Sequence, residues 1–343
     1  MTSFAFKVTP YQGFEERIMQ LRNRNRHDRR DRPYLDWRYR SPGSRIPPEI
    51  YWVSRNNSEL VGMAAVIHRP YRLKGAHREL MVLGDISLDR KYRGTGLADD
   101  FFAFIADELT TKDLPGGLVI PNTPARKVLA RNGWQSGEPL VHHVCWLNPA
   151  RKLRPLVRSQ AAAAALQYLF SLLLGGKLRR IDSREYSLGS VREFNARFEE
   201  LWRRSDTGNH CLRNRDRASL TWRYSDRPSG NFRIATCMSG NILDGYLVYG
   251  SDNNSTCHVY DIFCRDSDCV RPLLKMFITD LRTRGGVDAI RLCLNETHPY
   301  SPLLRQIGFL PRKEDDLFML FSANSDTCLE KYHWMLTAGD KDV

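Results

Sequence analysis

The stretch 81-MVLGDISLDRKYRGTGLADDFFAFIADEL-109 joins an apolar segment to an apolar helical pattern across a turn with two glycines and an arginine. A glycine-rich turn between a strand and a helix leaves backbone N–H groups unpaired, and the helix dipole adds partial positive charge there. Such a turn can bind phosphate. Gly94 and Gly96 allow close approach, Arg93 adds charge, and small Ala98 permits contact with the first helical turn. The same residues also fit a plain turn that needs glycine for positive φ.

The turn Arg93-Gly94-Thr95-Gly96-Leu97-Ala98 fits the R-x-x-G-x-G/A motif of the GCN5-related N-acetyltransferases, the GNAT superfamily, which the chain resembles. Ile86 to Tyr92 resembles the family's strand end, and Asn122-x-x-Ala125 followed by Gly133-Trp134 resembles its later strand and helix. The resemblance implies an α/β fold of the α+β kind, with a bent, mostly antiparallel mixed sheet flanked by helices. In that fold two parallel strands splay apart to admit the pantetheine arm of acetyl-CoA. Acetyl-CoA, or another acyl-CoA, is therefore the expected cosubstrate.

The resemblance also implies where that cosubstrate binds. The thioester carbonyl is expected to meet a backbone N–H near Ile86 to Leu88, and the phosphates are expected at the glycine turn. Asn122 either hydrogen-bonds the pantetheine arm or the acceptor, or caps the next helix. The predicted cosubstrate-binding residues are Ile86, Ser87, Leu88, Arg93, Gly94, Thr95, Gly96, Leu97, Ala98 and Asn122.

Two carboxylates are candidates for the general base, which acts directly or through water. Glu79 lies nearer the place where many family members keep a basic glutamate, but it also fits a solvated charge at a strand start. Asp85 also fits a buried partner of an arginine. The tyrosine that often protonates the departing thiolate is replaced by Leu129, so water, another side chain or no acid serves. His142-His143 would point to opposite strand faces, a poor metal site, and we predict no metal.

An unusual phrase occurs twice, as Tyr34-Leu35-Asp36-Trp37-Arg38-Tyr39 and as Ser219-Leu220-Thr221-Trp222-Arg223-Tyr224. A similar order of strands, turns and helices follows each copy, so we predict two copies of one unit. The second copy has Cys264 to Pro272 in place of the glycine turn, with two added acids, and we predict that it has lost cosubstrate binding. Because both copies keep the Trp-Arg-Tyr phrase, we interpret it as a packing anchor. The predicted domains are a catalytic GNAT-like domain at 1–150, a basic and apolar linker helix at 151–182 and a degenerate GNAT-like domain at 183–343.

The chain of 343 residues carries a formal net charge of +13, which favours anionic partners. Its eight cysteines show no zinc spacing, and its N-terminus lacks the apolar core of a signal peptide. We expect reduced thiols and a cytoplasmic protein, either free or peripheral at the inner face of the membrane. The segment 151–180 is predicted as a linker helix packed between the domains or as a membrane anchor in the headgroup layer; its roughly fourteen apolar residues are too few to span a bilayer.

The leading functional prediction is an acyl-CoA-dependent N-acyltransferase, most simply an acetyltransferase. A primary amine would attack the thioester directly in a ternary complex. The resemblance to two-unit bacterial proteins of cell-surface polysaccharide assembly suggests an amino sugar as the acceptor, small or carrier-linked. The alternatives are transfer of an acyl or aminoacyl group from a protein- or tRNA-carried donor, and a non-catalytic protein that binds anions or nucleic acid. Nucleic acid is disfavoured because the aromatic-basic motifs of common RNA modules are missing. One arginine run could bind an anionic acceptor or nucleic acid, or could simply form solvated helix faces and loops: Arg22, Arg24, Arg26, Arg29, Arg30 and Arg32.

Overall fold

The computed structural model describes residues 3–26, 29–40, 42–56, 58–153, 159–228, 230–252, 254–323 and 328–341. The described residues form fourteen strands in a single sheet. The strands are β1 Phe4–Pro10, β2 Glu49–Arg55, β3 Glu59–Leu73, β4 Ala76–Leu88, β5 Gly116–Val119, β6 Gln135–Trp146, β7 Ser187–Val191, β8 His210–Arg213, β9 Arg233–Ser239, β10 Ile242–Ser251, β11 Thr256–Cys264, β12 Ala289–Asn295, β13 Leu310–Ser322 and β14 His333–Trp334.

Ten α-helices flank this sheet in the described part of the chain. They are α1 Glu15–Asn25, α2 Arg32–Tyr39, α3 Leu97–Thr110, α4 Thr123–Arg131, α5 Pro149–Leu153, α6 Gln160–Arg179, α7 Ala196–Arg204, α8 Arg217–Leu220, α9 Val270–Arg284 and α10 Ser301–Ile307. A π-helical turn, Thr221–Ser225, follows α8, and 3-10 turns cover Arg90–Tyr92, Leu329–Lys331 and Ala338–Asp340.

The strand order shows how the two halves are joined. Along the sheet it is β1-β2-β3-β4-β5-β13-β6-β12-β11-β10-β9-β7, which reads symmetrically from the β13–β6 pair outward. The sixth strand of the first half, β6, pairs with β12 of the second half, and β13 of the second half pairs with β5 of the first. The halves therefore exchange their last strands and share one sheet. The residue bounds predicted for the two domains stay a prediction.

Pairing directions confirm the predicted mixed sheet. Most neighbours are antiparallel, whereas β4 with β5 and β11 with β12 run parallel, one pair in each half. Each parallel pair is followed by divergence of its two strands, the geometry that the GNAT resemblance implies. The fold thus provides two equivalent clefts, and their contents differ.

The helix α6 follows the first half and contacts both halves, but only along one edge. Of its twenty residues, only Ala163, Leu174 and Leu178 are buried. The helix lies on α10, where Leu174 approaches Gly308, and the Gln167 side chain donates to the carbonyl of Leu147. The prediction of a packed linker is therefore wrong for most of the helix surface, because one narrow edge makes the contact.

Candidate active site

The first cleft opens where β4 and β5 separate. These strands pair in parallel at Met81 with Gly117 and at Val82 with Leu118, and then diverge. On its other side β4 has one residue more than β3, because Asp85 and Ile86 together face Ala64. Asp85 takes a left-handed φ of 48°, as expected for a bulge that bends the strand. The bulge turns the end of β4 away from β5 and leaves a cavity of about 320 Å³.

Three of the residues predicted to form the site line this cavity, namely Asp85, Ile86 and Asn122. Ser87 and Leu88 follow directly on β4. The wall on the other side comes from the second half, through Asp316 on β13 and through Asp340 and Lys341 near the C-terminus. The remaining lining residues are Arg26, Arg38, Val82, Leu83, Gly84, Leu118, Val119, Ile120, Pro121 and Ala125.

The predicted phosphate turn follows β4 and leads into α3. Gly94 and Gly96 have φ of 78° and 88°, and a Cβ at either position would meet no atom within 4 Å. Both glycines are thus needed for backbone conformation, and both leave open space. Gly96 is the N-cap residue of α3 and supplies no capping side chain, so the first amides of the helix are available to a ligand. Arg93 is exposed, and its Nε donates to the carbonyl of Leu88 at 3.2 Å.

Acidic residues beside this turn reduce its positive potential. Asp99 and Asp100 lie in the first turn of α3, where carboxylates favour the helix dipole but oppose a second anion. Arg131 of α4 donates two hydrogen bonds to the Asp99 carboxylate, from Nε to Oδ1 at 2.7 Å and from Nη2 to Oδ2 at 2.9 Å. The guanidinium thereby neutralises one of the two acids.

Asp85 is almost completely buried, and its carboxylate is surrounded by arginines and a tyrosine. Its carboxylate accepts from Arg38 Nε at 2.6 Å, from Arg22 Nε at 3.2 Å and from the Tyr39 hydroxyl at 3.0 Å, and Arg26 lies 3.8 Å away. Burial alone would raise the pKa of Asp85, but the three guanidinium groups and the hydroxyl outweigh burial and lower the pKa to about 2. Both of its oxygens already accept from these buried donors, so the carboxylate is not available to take a proton from an acceptor amine. Asp85 therefore anchors α1 and α2 to the bulge of β4.

Glu79 lies outside the cavity, at the start of β4. Its carboxylate accepts from the Ser44 hydroxyl at 2.8 Å and from the backbone N–H of Arg45 at 3.3 Å. Ile86 lies seven positions further along the strand, which is about 23 Å at the usual rise. Glu79 is thus not in position to act as the base, and it holds the loop before β2.

Three further sequence predictions have structural counterparts. The Asn122 side chain caps α4 by accepting from the N–H of Ala125 at 3.1 Å, which is the simpler of its two predicted roles. Leu129 is completely buried, as expected of a residue that replaces a reactive tyrosine with an apolar side chain. The arginine run is used mainly within the protein: Arg22 and Arg26 bind Asp85, Arg24 binds Asp89, and Arg32 binds Asp36 and Glu15.

The wall from the second half carries the carboxylate that is most accessible from the cavity. Asp316 is 38% exposed at its side chain and accepts from the ammonium of Lys341. Burial would raise the pKa of Asp316, but Lys341 outweighs burial and lowers the pKa below its usual value. His142, Glu314 and Asp316 bring ligand atoms within 4.8 Å of one another, a spacing that could hold a metal ion. Arg291 and Lys341 already pair with the two carboxylates of that cluster.

The equivalent cleft of the second half is filled by the protein itself. β11 and β12 pair only as far as Val259 with Leu292, and the C-terminal segment 337–340 then lies between them. Thr337 bridges Leu294 of β12 and donates to Asp261 of β11 at 3.2 Å. Within the same segment the buried Asp340 carboxylate accepts from Arg215 at 3.1 Å and from Arg223 at 3.3 Å. A pantetheine arm has no room in this cleft.

The helix start beside the second cleft is also occupied. Asp266 accepts from the backbone N–H groups of Asp268 and Cys269 at 3.0 and 3.2 Å, just before α9. Its carboxylate therefore takes the position that a phosphate would need.

Comparisons with known proteins agree with this architecture. Residues 14–134 match the model of the acetyltransferase (GNAT) family. Residues 14–134 therefore belong to the GNAT family. The predicted recognition of the family and of a GNAT-type acyl-transferring enzyme is thereby confirmed, while the catalytic residues are not tested by the match. No curated protein sequence matches the chain.

Solved structures share the fold of nearly the whole chain. A probable N-acyltransferase from Enterococcus faecalis V583 aligns over 97% of this chain and 75% of its own, with a TM-score of 0.70 and 12% identity. A GCN5-related N-acetyltransferase from Anabaena variabilis aligns over 93% and 73%, with a TM-score of 0.65 and 14% identity. Eis1 from Mycobacterium abscessus aligns over 93% and 74%, with a TM-score of 0.61 and 12% identity. At these identities the likeness shows the fold alone.

Proposed function

We propose that the chain is an acyl-CoA-dependent N-acyltransferase that transfers an acetyl group to a primary amine, with the first half as its only cosubstrate site. The observation that carries the proposal is the contrast between the two equivalent clefts. The first is a cavity of about 320 Å³ beside an uncapped glycine turn. In the second, residues 337–340 fill the cleft and Asp266 caps the turn.

The donor side of the reaction uses backbone groups. The open amides at Gly94 to Ala98 would hold the phosphates of the cosubstrate, and the separated edge of β4 near Ile86 would hold its pantetheine arm. Arg93 lies at the junction of the two and adds a fixed positive charge. None of these roles requires a side chain that titrates near neutral pH.

The acceptor side uses the second half. Asp316 lines the cavity opposite β4, so its carboxylate would attract the ammonium of the acceptor and accept the proton that is lost before attack. The amine nitrogen then forms a bond to the thioester carbonyl carbon, the carbon–sulfur bond breaks with its electron pair on the sulfur, and the second proton of the amine passes through water to the thiolate. Lys341 keeps Asp316 ionised, and the degenerate half thereby gains a role in binding the acceptor.

Isothermal titration with acetyl-CoA, free CoA and a longer acyl-CoA tests the donor site. At ten times its dissociation constant, a bound ligand stabilises the fold by about 1.4 kcal/mol, which a melting shift reports independently. Gly96→Glu places a bulky, negatively charged side chain in the turn, where it would repel the phosphates of the cosubstrate, and should abolish acetyl-CoA binding. Gly285→Glu is the matched control, since Gly285 also has a positive φ of 71° and open space around it, but lies in the second half.

If both glycine variants bind acetyl-CoA equally well, the cosubstrate site does not lie at the glycine turn. Absence of binding to every CoA species in the parent protein would overturn the proposed donor. Once donor binding is measured, the release of free thiol in the presence of a panel of amines identifies the acceptor, and amino sugars come first in that panel.

A further inference from the structure

The outward face of α6 is apolar where a surface helix normally carries polar residues. Tyr168, Leu169, Leu172 and Leu173 are exposed by 67%, 54%, 54% and 61%. Six large hydrophobic side chains are exposed among the described residues, and these four are the majority of them. A stripe of this kind on a soluble surface usually marks an interaction site.

The stripe continues along the helix. Exposed Ala161, Ala162 and Ala165 precede the four large side chains, and Gly176 follows them. The spacing places these residues on one side of four turns, a length of about 22 Å at the helical rise. The opposite edge, with Ala163, Leu174 and Leu178, is the part that packs on the protein.

Positive charge surrounds the stripe. The segment 151–180 contains seven lysines and arginines, and the sequence has neither aspartate nor glutamate between Glu138 and Asp182. Lys177, Arg179 and Arg180 are exposed at the C-terminal end of the helix, and Arg151 is exposed before its start. An apolar face with a basic border complements an anionic lipid surface in both respects.

An apolar groove lies next to the stripe. It has a volume of about 440 Å³ and runs between α6 and the start of β13, where Leu310 is 53% exposed. Lys177 and Arg180 stand at its edge. The groove thus pairs room for an acyl chain with cations for a phosphate headgroup.

We propose that α6 and Leu310 form a docking surface for an anionic bilayer, with the helix lying in the headgroup layer. The helix has twenty residues and contains an 18-residue window of mean hydropathy 1.3, which is long and apolar enough for a membrane span, so the expectation that it is too short is wrong by that measure. It lies on the membrane rather than across it because its edge is already buried against α10 and Gln167 is bonded to Leu147. A second copy is the poorer occupant, since a two-fold pair would bring two basic borders together.

Flotation of the full chain with vesicles tests the proposal independently of the enzymatic activity. We expect binding to phosphatidylcholine–phosphatidylglycerol vesicles that weakens with added salt, and little binding to phosphatidylcholine alone. The double variants Leu172→Glu with Leu173→Glu, and Arg179→Glu with Arg180→Glu, should each lower vesicle binding by at least about tenfold. Ile242→Glu is the control, because Ile242 is 52% exposed on β10 and should leave binding unchanged.

Melting temperatures and donor binding verify that each variant is folded. Equal binding to neutral and anionic vesicles would overturn the electrostatic part of the proposal. Failure to bind either vesicle would overturn the whole, and sedimentation would then show whether the leucine variants convert an oligomer to a monomer, which would assign the surface to a second copy.

Discussion

Trp37 and Trp222 exchange hydrogen bonds across the two halves of the protein. The indole Nε1 of Trp37 donates to the carbonyl of Trp222 at 2.6 Å, and the indole of Trp222 donates to the carbonyl of Trp37 at 2.8 Å. Their rings stack with centroids 5.4 Å apart and an angle of 19° between planes. Identical residues that exchange identical contacts indicate a local two-fold relation, as in an isologous interface. The symmetrical strand order around β6 and β13 follows the same relation.

Removing one indole N–H from this pair should destabilise the protein by more than the loss of side-chain packing alone. Trp37→Phe leaves the buried carbonyl of Trp222 without its donor, which costs about 1–3 kcal/mol in addition to the packing loss. Trp134→Phe is the control: Trp134 is similarly buried, but its Nε1 has no hydrogen-bond partner among the described residues. Urea unfolding of both variants gives the comparison, and equal losses of stability would mean that the exchanged bonds contribute nothing.

Asp85 should prove structural rather than catalytic. Asp85→Asn leaves Arg22 and Arg38 without their buried counter-charge, and we expect a loss of about 3–5 kcal/mol in the free energy of unfolding at neutral pH. Because its pKa falls from 3.8 to about 2 on folding, the ionised carboxylate contributes stability above pH 3.8. That contribution, about 2 kcal/mol for such a shift, disappears as the pH falls through 2.

Unfolding measured along a pH series checks this assignment. The stability of the parent protein and of Asp85→Asn should converge at acid pH. A variant that keeps its stability but loses turnover would instead make Asp85 a base.

Local features of the chain were predictable from the sequence. The glycine turn needs residues that accept a positive φ and a following helix pattern, and both are visible within a few residues of Gly94 and Gly96. The repeated Trp-Arg-Tyr phrase correctly indicated a packing anchor, because a shared structural role is the simplest reason for two copies to keep it. Its partner in space was not visible, since stacking between Trp37 and Trp222 joins positions 185 residues apart.

The acceptor side of the cavity could not be predicted for the same reason. Asp316, Asp340 and Lys341 reach the cavity only because β13 inserts beside β5 and the C-terminal segment enters the second cleft. No local spacing or motif marks either event. The sequence around the arginine run does not show its main counter-charge, because Asp85 lies 63 residues along the chain from Arg22.

Gly339 should be the position at which the filled second cleft tolerates least change. A Cβ there would lie 2.0 Å from the Tyr224 hydroxyl, so Gly339→Ala should destabilise the protein by about 1–3 kcal/mol through overpacking. Tyr224→Phe removes that oxygen, which has no partner among the described residues, and should by itself cost little. The double variant should regain part of the loss in thermal unfolding. Additive losses would show that the C-terminal segment does not pack against Tyr224.

Asp316 provides the sharpest test of the acceptor site. Asp316→Asn should lower kcat/KM for the amine by about 10²–10⁴-fold while acetyl-CoA binding is unchanged, because only the proton transfer and the ammonium contact are lost. Glu314→Gln is the matched control, since Glu314 lies two residues away but does not line the cavity. Steady-state kinetics together with titration of acetyl-CoA separate the two effects.

The positive charge of Lys341 should affect proton transfer from the acceptor amine by setting the pKa of Asp316. Lys341 lowers the pKa of Asp316, so Lys341→Met should raise that pKa, and the acid limb of the kcat/KM profile should move to higher pH. A structural role for Lys341 would lower activity at every pH without moving the limb. If Asp316→Asn leaves amine turnover intact, the second half supplies no base, and the acceptor must lose its proton to water at the open end of the cavity.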